Sequence, residues 1–142
     1  MIAPAELRRQ DRAAFLAEAG WAQAEQRRVI GDASTRSYER LQLGDRTALL
    51  MNAPPAAESA ACPPDADAAT RRRLGYNALA RLAGPNMHAF LEVDAALRAA
   101  GLSAPEIFRA DPAKGFALIE ELGDGLFAKA IPAGADEATL YA

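Results

Sequence analysis

The chain is short of the residues from which many sites are built. Of its 142 residues one is cysteine, Cys62, and one is histidine, His88. A lone cysteine cannot pair within the chain, and a lone histidine has no partner at metal-ligand spacing. A disulfide scaffold, a zinc site and a Ser/His/Asp or Cys/His constellation are therefore not expected, and a reducing cytoplasm is the default compartment. Lysine is scarce too: Lys114 and Lys129 stand among many arginines and an abundance of alanine, a bias that points to a GC-rich bacterial genome and says nothing about chemistry. No apolar run approaches the roughly 18 residues that span a bilayer. The opening "MIAPAELRRQDRAAF" carries charges where a signal peptide needs an apolar stretch, so a soluble, cytosolic protein is expected. There is no excess of one charge. The net charge is −3 with acids and bases interspersed, which offers no footprint for nucleic acid or an anionic membrane. The runs Arg27-Arg28 and Arg71-Arg72-Arg73 read as solvated faces.

What is present fits one domain of ordinary size, able to bury about two thirds of its unfolded surface. Pro4 to Ala19 reads as a helix with Leu7, Ala14 and Phe15 on one face, stopped by Gly20. Gln26 to Ile30 reads as a short strand. Ser37 to Leu43 and Arg46 to Met51 alternate about Gly44-Asp45, a two-residue connection suited to a type II′ hairpin. Residues 52–84 dissolve into Pro, Ala and small polar residues, which predicts a long exposed loop or partly disordered insertion with a short helix near Arg71 to Leu82. Pro85 opens a better helix, with Phe90, Val93, Leu97 and Ala100 as its apolar stripe and Gly101 as its end. "APEIFRAD" and "GFALIEEL" are two more strands around the turn "DPAKG". Leu126 to Ile131 and "DEATLYA" turn helical again.

The order predicts an α+β fold: a small, mostly antiparallel five-stranded sheet with one packed helix, preceded by an N-terminal helix. The expected parts are a lead-in over 1–25, a sheet domain over 26–122 with its loop insertion at 52–84, and a connecting stretch over 123–142. Nothing alternates as βαβ units do.

Four blocks, "GDASTRSYERL", "LLMNAPP", "ALRAAGLSAPEIFRAD" and "GFALIEELGDG", stand in the order and wording of the N-terminal lobe of bacterial phosphotransferases of the aminoglycoside/choline kinase type. The chain resembles this family from Arg27 onward, most closely its subgroup of anomeric amino-sugar kinases of cell-wall recycling. The resemblance implies a protein-kinase-like fold with ATP held between a sheet lobe and a helical lobe. It implies that Gly31, Asp32, Ala33, Ser34 and Thr35 form the loop over the ATP phosphates, with Arg36 supplying positive charge there. Met51 stands where kinase relatives place a phosphate-binding lysine, and Glu92 is the glutamate available on the following helix to pair with such a lysine. Glu120, Glu121 and Leu122 become the hinge whose backbone meets the adenine edge, with Leu50 and Ile119 sandwiching the ring.

The same family carries its chemistry in an H-x-D-x-x-x-x-N loop and a further metal-binding aspartate. Neither is in this chain: His88 is followed by Ala89 and Phe90, no catalytic or metal-ligating residue is assigned, and Cys62 reads as incidental. The expectation is thus the ATP-side lobe of a sugar kinase, inactive by itself, with Mg2+ and the sugar acceptor belonging to the complete enzyme and the helical lobe as partner in cis or in trans. A stand-alone regulatory nucleotide-binding module and a non-binding structural fragment remain the alternatives.

Overall fold

The computed structural model describes residues 3–30, 36–55, 63, 65–73 and 87–141. Helix α1 spans Pro4–Glu18, opening on a proline whose missing N–H costs nothing in a first turn. It closes in a Schellman motif: Gly20, at φ 76°, donates to the Ala17 carbonyl and Trp21 to that of Leu16. Strands β1 (Glu25–Val29), β2 (Ser37–Leu43) and β3 (Arg46–Asn52) follow. Residues 68–73 are helical (α2), and the rest of the expected 52–84 insertion lies mostly outside the described residues. Helix α3 (Met87–Ala99) leads to β4 (Ile107–Asp111) and β5 (Phe116–Ile119), and two single-turn helices, α4 (Phe127–Ala130) and α5 (Glu137–Leu140), come last.

The strands form one antiparallel sheet in the order β1-β2-β3-β5-β4, so the fold is α+β as the element order predicts. The β2–β3 hairpin sets the register. Gly44 has φ 59° and Asp45 does not share its positive sign, the combination a type II′ turn requires, and Leu43 pairs with Arg46. A second glycine fixes the other end of the sheet. Gly115, at φ 68°, accepts a hydrogen bond from the Ala53 amide at 2.8 Å, and a Cβ there would sit 1.9 Å from the Ala53 carbonyl oxygen.

Each sheet face has its own core. On one, Leu41, Ala48, Leu50, Phe116 and Leu118 pack against Phe15, Leu16 and Trp21 from α1 and its exit. On the other, Met51, Ala53, Ala117 and Ile119 pack with Met87, with Phe90 and Leu91 alongside.

Both long helices turn a different face inward from the one their apolar residues predict. In α1, Leu7 is 51 % exposed, and the inward positions before Phe15 and Leu16 are arginines. Arg8 lies 3.7 Å over the Phe116 ring and donates to Asn52 Oδ1 and the Gly115 carbonyl, and Arg12 pairs with Glu39. Arginine stems cover apolar surface while their heads find acceptors at a sheet rim, a use invisible to a pattern that counts only apolar residues. In α3 the inward positions are Met87, Phe90, Leu91 and Asp94, at i, i+3, i+4 and i+7, with Met87 and Asp94 buried and Phe90 and Leu91 partly so, while Val93 is 59 % exposed and Leu97 also faces outward. Asp94 occupies the inward slot that the stripe Phe90–Val93–Leu97 passes over.

Candidate functional site

The hairpin register determines which side chains share a surface. Arg40 pairs with Leu49, which pairs with Ile119. Tyr38 pairs with Met51, which pairs with Ala117. Directly opposed residues in an antiparallel sheet point to the same side. Arg40, Leu49 and Ile119 therefore form one row across the α3 face, and Tyr38, Met51 and Ala117 form the next. Leu50 pairs with Leu118 and points the other way, into the core under α1.

The structure accordingly brings together some of the residues singled out from sequence and separates others. Met51, 1 % exposed, and Ile119 share the α3 face. Arg36 is half-buried immediately before Ser37, whose cross-strand partner Asn52 adjoins Met51. Leu50 is fully buried on the opposite face, and on the Met51 face its place is taken by Leu49. Gly31, Asp32, Ala33, Ser34 and Thr35 lie outside the described residues. Glu120 is held twice against the start of β4: its amide donates to the Glu106 carbonyl at 2.8 Å and its carboxylate accepts the Glu106 amide at 3.0 Å. Leu122 is exposed.

Glu121 is the best-anchored of the group. It accepts Arg40 Nε at 2.7 Å, Arg40 Nη2 at 3.1 Å and the Gly123 amide at 2.8 Å. The same guanidinium reaches Asp124 through Nη1 at 3.2 Å and Nη2 at 3.0 Å. Hydrogen bonds from Arg40 hold both carboxylates below their ordinary range, and those to Glu121 and then Asp124 raise the arginine. Arg40 and Asp124 are absent from the sequence-derived site. The alternation of β2 about a two-residue turn was enough to place Arg40 beside Leu49, whereas its carboxylate partners carry no local signal.

The carboxylate that α3 buries is Asp94, 7 % exposed, with Oδ1 unpartnered among the described residues, while Glu92 is exposed. Two sizeable clefts are lined by described residues. One of about 510 Å³ is lined by Arg98, Leu102, Glu106 and Glu120, and another of about 480 Å³ by Arg8, Arg9, Arg12, Arg28 and Asn52 on the α1 side. Neither is lined by Leu49, Met51 or Ile119. Among the described residues no three His, Cys, Asp or Glu side chains gather as a metal site, and no helix is long and apolar enough to cross a membrane.

These features define an α+β domain built on a two-faced antiparallel sheet, with a polar clamp where the chain leaves β5. No protein-family model matches the chain. It is 52 % identical, over 130 residues, to an N-acetylmuramate/N-acetylglucosamine kinase of Caulobacter vibrioides. That match covers 92 % of the chain, and the resemblance carried by the four sequence blocks holds. The chain spans 36 % of that relative's length.

Proposed function

We propose that the chain is the nucleotide-binding lobe of an ATP-dependent amino-sugar kinase, with a protein-kinase-like arrangement and ATP lodged on the α3 face of the sheet. The observation that carries this is the row Leu49–Ile119 running directly into the backbone of Glu120, Glu121 and Leu122. An apolar surface for a flat ring there ends at main-chain groups able to meet its edge. Among the described residues nothing hydrogen-bonds the Leu122 amide.

The charges along the face fit one orientation of the nucleotide. At the Glu121 end one arginine faces two carboxylates, so the cluster is net negative and suits a neutral base rather than a phosphate. At the other end residues 31–35 and Arg36 follow β1 in sequence, and on this reading the positive charge and amides for the phosphates come from there. Met51 cannot contribute: a buried thioether supplies no charge, and Glu92, the α3 glutamate that would pair with a lysine there, is exposed. The 142 residues contain no H-x-D-x-x-x-x-N sequence, so the base for the acceptor hydroxyl and the Mg2+ ligands belong to other parts of the complete enzyme. Its acceptor is an amino sugar of the N-acetylmuramate or N-acetylglucosamine kind, after the relative's name, and recycling of cell-wall sugars in the cytoplasm is the setting in which ATP and such sugars meet.

Calorimetric titration tests this. The 142-residue chain should bind ATP saturably, yet transfer no phosphate to either sugar, because positioning and metal electrostatics supply nearly all of the rate in phosphoryl transfer. A flat titration contradicts the nucleotide site, and magnesium-dependent turnover contradicts the division of labour.

A further inference from the structure

Arg40 joins β2 to residues 81 and 84 positions further along the chain, and four of its hydrogen bonds end on two carboxylates. Paired bidentate contacts of this kind fix geometry as well as charge, because the planar guanidinium and each carboxylate must lie nearly in register. The anchored stretch needs such a device. After the Glu120 amide is bound to Glu106, the chain passes exposed Leu122 and turns at Gly123, φ 84°, with little apolar surface to order it. Glu121 closes the turn by accepting the Gly123 amide while Arg40 holds its carboxylate.

We propose that Arg40 is a positioning and specificity-determining residue for the base: by clamping Glu121 and Asp124 it holds the Glu120–Leu122 backbone in the register that reads adenine in preference to guanine. The inference rests on the nucleotide reading above. A carbonyl acceptor beside an amide donor complements the amino donor and ring-nitrogen acceptor on the adenine edge, whereas guanine offers an oxygen acceptor at the corresponding position. That discrimination works only if the two main-chain groups are held still, since a mobile segment can turn either group to either base. Four of the five N–H donors of Arg40 are taken by its two acids, so its part is to hold the backbone.

The test compares ATP and GTP affinities by titration calorimetry for the wild-type chain, Arg40→Ala and Glu121→Gln, with amide hydrogen exchange at Gly123 read in the absence of nucleotide. Glu121→Gln keeps the side chain's size and serves if Arg40→Ala folds poorly. The expected result is a wild-type preference for ATP and faster Gly123 exchange in both variants. ATP affinity should fall about tenfold, as the loss of one or two charge-assisted hydrogen bonds implies, with GTP affinity nearly unchanged. An equal loss for both nucleotides, or an unchanged ATP-to-GTP ratio in a variant that still binds, overturns the inference and leaves the nucleotide reading standing. A wild-type chain that binds neither nucleotide overturns both.

Discussion

Met51 states the problem at the scale of one residue. A kinase-like lobe ordinarily places a lysine at this point of its third strand, and here the position is a thioether sealed in an apolar cluster with Ala53, Met87, Ala117 and Ile119. Three substitutions separate the possible roles. Met51→Leu keeps volume and polarity, and should cost less than about 1.5 kcal/mol of stability with ATP affinity close to wild type. Met51→Lys puts an ammonium among apolar groups without a designated partner, and should destabilise by about 3 kcal/mol or more without improving ATP binding. Arg36→Ala, at the proposed phosphate end, should weaken ATP binding well beyond the effect of Met51→Leu. Denaturant unfolding and ATP titration of the three variants check all of this. A stable Met51→Lys that binds ATP more tightly, beside a neutral Arg36→Ala, would show a decayed lysine site instead of an arginine-based one.

The helices and strands differ in how much of them could be read from sequence, and the reason is which chemistry fills each inward position. The hairpin was legible because a period of two and a Gly-Asp turn leave one register, and that register already separates Leu49 and Met51 from Leu50. Leu50, a ring contact by the resemblance, is sent under α1 by that same alternation. The helices were legible in extent and not in rotation: Arg8 and Arg12 dock α1 through guanidinium contacts, and a carboxylate takes an inward slot of α3. The clamp was the least legible part, since Arg40, Glu121 and Asp124 are brought together by the sheet. Asp94 supplies a prediction at this scale. A buried carboxylate oxygen without a partner costs about 1–3 kcal/mol, so Asp94→Ala should raise the unfolding midpoint, helped by alanine's better helix propensity. A lowered midpoint with weaker ATP binding would instead mark Asp94 as part of the site.

Across the whole molecule the sheet divides labour between its faces. The α1 face is a closed core in which Leu41, Leu50 and Leu118 are inaccessible beneath Phe15 and Trp21. The α3 face leaves Tyr38, Arg40 and Leu49 half-buried around Met51 and Ile119. The relative, 52 % identical to this chain over 130 residues, is a kinase of whose length the chain spans 36 %, and the nucleotide site proposed above uses only one face of the sheet. The most direct measurement is a methyl NMR titration of the labelled chain with ATP. The proposed site predicts saturable shifts at the methyls of Leu49, Met51 and Ile119, with Leu41, Leu50 and Leu118 unmoved. Shifts confined to Leu41, Leu50 and Leu118, or none at saturating ATP, would contradict a nucleotide site on this face.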